Sequence, residues 1–384
     1  MKIEGIHTPL PFEKMDEHTK RLRQTYAITP GIRLIRREFG FFTEEIWCEQ
    51  GLHENTDYEE EFKYDPYRKY GFWKLGWCEA AFSPVFPTLT LEERGEHEVI
   101  QDFAGRKLLV FKGRRRGFMP EYIDHPVKDM KTWEENVKWR LSPNTSERFG
   151  NDFEKTISEG TEKAKQGWMI TQHLIGGYMY LRSLIGPQEL LYAFYDQPEL
   201  IHDCMKTWFE LADAVIARVQ KHLTFDEIFF AEDICYNHGC LISPEMMKEF
   251  LFPYYQQLIK NLRTRQLDPS RHLYVQVDTD GFANPVIDLY RDAINMDAMS
   301  PFEVASGCSV VEIGKKYPNL FISGGIDKRV LAKGKDAIDK HLESILPAMR
   351  ERGGYIPTCD HGVPAEVSLD NYRYYRKRCI ELGG

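Results

Sequence analysis

Residues 272–281 read His272-Leu273-Tyr274-Val275-Gln276-Val277-Asp278-Thr279-Asp280-Gly281. A short apolar run ends in acids and a glycine, and the helix-like stretch 285–291 follows at once. That is the pattern of one buried parallel strand with its crossover helix. Working outward, apolar runs recur at 168–173, 227–231, 293–299, 320–323 and 355–358, alternating with amphipathic stretches at 187–195, 198–222, 244–265 and 335–352. Several stretches open with helix-entry chemistry: Ser243-Pro244-Glu245 supplies an N-cap, a first-turn proline and an acid, and Ser368-Leu369-Asp370 opens the last helix in the same way. Six such units fill the last 220 or so residues and leave room for two strands in the first 160, so the count predicts an α/β fold, a (β/α)8 TIM barrel. A doubly wound sheet would need a G-x-G-x-x-G turn. That motif is absent, as are a phosphate-cradling P-loop and a G-x-S-x-G elbow.

The first third is irregular and aromatic, with hairpin-like alternation over 72–91 and a Glu-rich stretch at 54–61, which predicts a lid or hairpin insertion near 54–95. No flexible linker separates it from the rest, so residues 1–384 are expected to form one barrel domain with an atypical part at 1–160. The formal charge of −9, from 50 basic and 59 acidic residues, argues against nucleic acid and anionic membranes as partners. Arg114-Arg115-Arg116 is the one short basic patch, read as a solvated loop. No apolar run reaches the length of a membrane span and Met1 to Glu17 lacks signal-peptide sections, so a cytoplasmic location is expected. The eight cysteines form no C-x-x-C pair and read as reduced thiols.

Barrel strands deliver their carboxyl-terminal side chains to one mouth, so the polar residues just after each run are the site candidates. Glu232 and Asp233 follow one run, Asp278 and Asp280 another, Glu303 a third, and Cys359-Asp360-His361 the last. Asp278 and Asp280, two apart in extended chain, project to one side, where two carboxylates either share a proton or hold a cation. Asp278, Asp280, Glu303, Cys359 and His361 are the candidate ligands of Zn2+ or another divalent metal. Glu232, Asp233, Asp280 and His361 are the candidate catalytic groups, with His238, Phe302 and Tyr178 assigned to substrate contact. Structural readings stand beside these: Asp278 as a turn cap, Cys359 as a buried thiol, His361 fixing a tight turn, and Glu232-Asp233 as an N-cap pair. Gly324-Gly325 reads equally as an anion nest or as a close backbone approach. The aromatic N-terminal part walls a flat substrate or fills core.

Ile242-Ser243-Pro244, Phe250-Leu251-Phe252-Pro253-Tyr254, Asp280-Gly281, Gly324-Gly325-Ile326-Asp327, Gly353-Gly354-Tyr355-Ile356 and Asp360-His361-Gly362-Val363-Pro364, in this order, resemble the uroporphyrinogen decarboxylase superfamily. The resemblance covers residues 165–384 well and implies a single (β/α)8 barrel with its site at the strand ends. True uroporphyrinogen decarboxylases read the tetrapyrrole carboxylates with an N-terminal Arg/Gln/Gly segment. Here Arg33, Arg36 and Arg37 precede Phe39-Gly40-Phe41-Phe42 instead. The corrinoid- and coenzyme M-linked methyltransferases of the superfamily bind zinc through a His-x-Cys pair and a late Cys. Aligned on Gly281, that pair becomes Asp278-x-Asp280, with Cys359 near the late Cys. The resemblance implies a metal-assisted methyltransferase that moves a methyl group from a small methoxylated, aromatic or otherwise methylated substrate to a corrinoid on a separate protein, since no D-x-H-x-x-G cobalamin motif is present. It also implies a homodimer. A cofactor-free decarboxylase, with Asp280 or Glu232 stabilising a cation and His361 orienting a carboxylate, is the alternative. A binding protein without turnover is the third reading.

Overall fold

The structure, a computed structural model, describes residues 10–113, 120–145 and 147–384. The arginine patch at 114–116 lies outside the described residues. Among the described residues thirteen strands are present: β1 (Lys69–Leu75), β2 (Leu89–Arg94), β3 (His97–Gln101), β4 (Lys107–Phe111), β5 (Glu121–Asp124), β6 (Met169–Ile175), β7 (Glu227–Ala231), β8 (Cys235–Tyr236), β9 (Gly239–Cys240), β10 (Tyr274–Thr279), β11 (Ala298–Pro301), β12 (Phe321–Ser323) and β13 (Tyr355–Ile356). A parallel sheet runs in the order β1-β6-β7-β10-β11-β12-β13, with helices in the crossovers. All six strands read from the alternation are in it.

The fold is the expected α/β barrel, with one strand fewer than the count predicts. Residues 36–42 stand where an eighth strand would be. Val363 N–H donates to the Gly40 carbonyl at 2.8 Å and Phe42 N–H to the Val363 carbonyl at 2.9 Å. On the other flank Arg36 N–H donates to Asp65 at 2.8 Å. The single parallel bridge at Phe41 and Val363 is too short to make a strand. The hairpin alternation at 72–91 divides in two. Phe72 and its neighbours belong to barrel strand β1, and the antiparallel sheet β2-β3-β4-β5 begins only at Leu89.

Local chemistry explains the helix ends. Ser243 accepts from Met246 N–H with Pro244 in the first turn, and Ser368 accepts from Asn371 N–H. The stretch 244–265 is not one regular helix: a wide π turn at Met247–Leu251 interrupts it just before Phe252–Arg265. Pro253 lacks the N–H that would bond to the carbonyl four residues back, and the wide turn absorbs that loss. The run at 293–299 splits, because the helix Asn284–Ile294 ends at Asn295 in a left-handed conformation (φ 52°) and the strand starts at Ala298. Among the described residues no helix is long and apolar enough to cross a membrane.

Candidate active site

Strand parity sends alternate side chains inward. Lys69, Gly71 and Trp73 of β1, His173 of β6, Phe229 of β7, Gln276 and Asp278 of β10, Ser300 of β11, Phe321 and Ser323 of β12 and Ile356 of β13 all line one cavity of about 290 Å3. Arg37, Glu38 and Phe39 complete its wall from the irregular segment, with Trp77 and Thr358 from loops. The floor is a polar plug. Lys69 Nζ sits 2.5 Å from Glu227 Oε1 and 2.9 Å from the Tyr26 hydroxyl, which itself donates to Glu227. One wall is aromatic: His173 stacks on Trp73 at 3.6 Å, and Trp77 stacks on Phe229 at 5.3 Å. Burial, then Lys69, pulls the His173 imidazolium down to about 2, so this ring is neutral.

The acids stand at the strand carboxyl ends: Asp278 lines the cavity, whereas Asp280 and His361 are not among its lining residues. Asp278 faces Ser300 across the β10–β11 register and accepts its hydroxyl proton. Burial, then the neighbouring Asp233, holds the Asp278 carboxyl up at about 6 despite that bond. Asp280 follows in the loop, its side chain 40% exposed, with His361 Nε2 3.8 Å from its Oδ2. Burial, then Asp233, Asp278 and Glu303, raises Asp280 to about 8, while Lys328 opposes the rise. The His361 ring lies between Phe39 (5.4 Å) and Phe42 (5.9 Å), and burial and then Lys328 lower its pKa. The mouth thus holds one carboxylic acid, Asp280, that keeps a proton near neutral pH, beside a neutral imidazole.

Asp233, the second residue after β7, adopts a left-handed φ of 47° and pairs with Arg182. Glu232 turns the other way, fully buried. Its Oε1 accepts from Tyr178 N–H at 3.0 Å and its Oε2 from the Tyr255 hydroxyl at 2.7 Å. Burial raises it to about 7, and it does not line the cavity.

The expected metal ligands do not assemble. The Cys359 thiol is fully buried in the barrel wall beside Glu38, Asp360 and Cys379, and burial pushes its pKa well up. Glu303 is engaged, with Oε1 3.1 Å from Lys328 Nζ and Oε2 accepting from Gly281 N–H at 2.9 Å. Among the described residues no three His, Cys, Asp or Glu side chains form a set able to hold a metal ion. Of the five candidates, Asp278, Asp280 and His361 remain at the mouth, with Asp278 bound to Ser300.

The substrate-contact expectations also move. Tyr178 and Phe302 are buried in the core, and His238 is exposed on the β8–β9 turn against Tyr236. None of the three lines the cavity. Gly324 and Gly325 settle as close approaches, because an added Cβ would meet the Pro301 carbonyl at 1.9 Å and Val310 at 2.2 Å. Lys328, overlooked in the sequence, joins Glu303 and Asp360 (3.5 Å) in an ion cluster. The cavity walls Trp73, Trp77, His173, Phe229 and Arg37 were also missed, although inward parity on the identified strands points to His173 and Phe229.

A parallel barrel with titratable groups gathered at its strand carboxyl ends defines an α/β-barrel enzyme. The family model for uroporphyrinogen decarboxylase (URO-D) matches residues 154–381, more than half of the chain. The chain belongs to this family. Uroporphyrinogen decarboxylase from Hydrogenobaculum sp. (strain Y04AAS1) is 24% identical over 128 residues, 33% of this chain and 34% of that protein. Uroporphyrinogen decarboxylase from Chloroflexus aurantiacus is 25% identical over 182 residues, 47% of this chain and 48% of that protein. The chain thus spans about a third to a half of the length of these curated relatives. The solved structure of a methyltransferase from Methanosarcina mazei has the same fold, with a TM-score of 0.57 at 12% identity, covering 95% of this chain and 98% of that one.

Proposed function

We propose that the chain is a methyltransferase that takes the methyl group of a small methoxylated aromatic compound, with Asp280 as the general acid. The observation that supports this most is the carboxyl of Asp280, raised to about 8, two residues beyond Asp278, which lines a cavity walled by Trp73, Trp77, His173 and Phe229. The aromatic ring stacks along that wall and the methoxy group points to the acids. A reduced corrinoid on a separate protein, as a second substrate, supplies the nucleophile. The methyl carbon–oxygen bond breaks, its electron pair stays on oxygen, and Asp280 gives that oxygen its proton. His361, neutral beside Asp280, takes the place of its hydrogen-bond partner, and Asp278 keeps negative charge close enough to hold the proton on Asp280. No step is routed through a metal, because the donor set does not fit one. A fold shared with a methyltransferase is in keeping with this reading. The cavity of about 290 Å3 suits one substituted ring better than a tetrapyrrole.

One observation favours decarboxylation as the second reading. The Arg37 guanidinium, on the cavity wall over the Tyr67 ring at 3.7 Å, has no acid partner among the described residues and suits a substrate carboxylate. The two are separated by assaying chelator-treated protein with 2-methoxyphenol and cob(I)alamin, and in parallel with 4-hydroxybenzoate. Methyl transfer that falls by about 100-fold or more in Asp280→Asn supports the proposal. Carbon dioxide release without methyl transfer overturns it.

A further inference from the structure

The β8–β9 hairpin carries chemistry that methyl transfer does not use. Cys235 and Cys240 stand directly opposite each other in its ladder. The backbone hydrogen bond falls on the next pair, Leu241 N–H to the Ile234 carbonyl at 2.9 Å. The cysteines therefore occupy the non-hydrogen-bonded position, where facing Cα atoms are about 4.5 Å apart. That spacing falls within the roughly 4.4–6.8 Å that a disulfide spans, so a bond can close without moving the strands. The two thiols are not equivalent. Cys240 is partly exposed and Cys235 is buried. The interaction of the two facing thiols lowers the Cys240 pKa and raises that of Cys235. The more acidic sulfur is also the reachable one. Nearby Cys308 is buried with its S–H directed at the Gly281 carbonyl, 3.5 Å away.

The hairpin is also tied to the mouth. Ile234 and Cys235 N–H groups donate to the Thr279 hydroxyl at 3.0 and 3.2 Å, and Phe282 N–H donates to the Tyr236 carbonyl at 2.8 Å. An added Cβ on Gly281 would meet the Tyr236 backbone at 2.8 Å. The strap therefore grips the chain on both sides of Asp280.

We infer that Cys240 and Cys235 form a thiol–disulfide exchange site for small disulfides of the glutathione type, set in the strap that brackets Asp280. The Cys240 thiolate attacks one sulfur of the small disulfide, forming a mixed disulfide as the old S–S bond breaks and one small thiolate leaves. Cys235 gives up its proton and attacks the Cys240 sulfur, and the second small thiolate leaves. The dithiol loses two electrons and two protons, and the small disulfide is reduced to two thiols.

The test treats the full-length reduced protein with oxidised glutathione near neutral pH, quenches with acid, alkylates and maps peptides by mass spectrometry. The expected product has lost two hydrogens and carries one Cys235–Cys240 link. Cys235→Ser stops at a glutathione adduct on Cys240. Alkylation by iodoacetamide should be several-fold faster at Cys240 than at Cys78, whose thiol is raised to about 11 by partial desolvation, then Glu79 and Asp233. Cys235→Ala slows labelling at Cys240, and Cys235→Ser restores it by keeping a donor. A link from Cys235 to Cys308, free thiols throughout, or equal labelling of Cys78 and Cys240 overturns the inference. The inference uses the strap of the proposed site, but none of these readouts needs turnover, so its failure is distinguishable from failure of the methyl-transfer reading.

Discussion

Glu232→Gln separates a structural acid from a catalytic one. Glu232 is fully buried, accepts hydrogen bonds from Tyr178 N–H and the Tyr255 hydroxyl, and titrates at about 7 instead of its ordinary 4.5. The folded state therefore binds this proton more tightly than the unfolded state. Its stability is complete below about pH 4.5, falls as the pH rises towards 7, and is level above that. At about 1.4 kcal/mol for each tenfold change in proton affinity, the rise costs the wild-type protein roughly 3 kcal/mol above pH 7. Glutamine keeps the accepting oxygen, places its amide by the Tyr255 hydroxyl oxygen, and cannot ionise. Urea unfolding at several pH values between about 4.5 and 8 should give nearly equal stabilities at the acid end, with the variant ahead by roughly 2–3 kcal/mol at the alkaline end. Turnover should survive in the folded variant, because Glu232 is turned into the core, fully buried against Tyr178 and Tyr255. A stability difference that does not change with pH, or a stable variant without turnover, would refute the reasoning.

Other side chains give separate checks. Cys359→Ala leaves a small void in the barrel wall and should cost about 1 kcal/mol in urea unfolding without changing turnover or metal content; loss of a bound metal together with activity would restore a thiolate-ligand role. Lys328→Met strips the charge partner from buried Asp360 and from Glu303, so it should destabilise by about 2 kcal/mol near neutral pH and by less at low pH, where Asp360 is protonated; a loss unchanged with pH would contradict the ion cluster. Trp73→Ala removes the ring stacked on His173 and should weaken 2-methoxyphenol about tenfold by calorimetry, and unchanged binding would move the substrate elsewhere.

The sequence made the barrel legible because parallel strands buried on both faces read as apolar runs, and six of them lie where the runs are. The eighth wall was illegible. Residues 36–42 make only a few hydrogen bonds, to Val363 beyond β13 and to Asp65 before β1, and such contacts leave no periodicity. Strand-end position is what sets Asp278 and His361 near Asp280, since barrel geometry delivers successive strand ends to one side. It could not reveal that Glu232 turns inward to Tyr255, or that the Cys359 thiol faces the wall, because one residue of register separates mouth from core. The aromatic N-terminal part divides between the two roles considered for it. Trp73, Trp77 and Phe39 line the cavity, while Trp47, Trp133 and Phe62 are buried core.

The account rests most heavily on a neutral carboxylic acid at the mouth at pH 7. Carbon-13 NMR of aspartate-labelled protein measures it directly, with Asp280→Asn identifying the resonance. The account predicts a carboxyl that titrates near 8 and is missing from the variant spectrum. A resonance assigned to Asp280 that titrates in the ordinary aspartate range would contradict it, and would remove the acid on which the proposed methyl transfer depends.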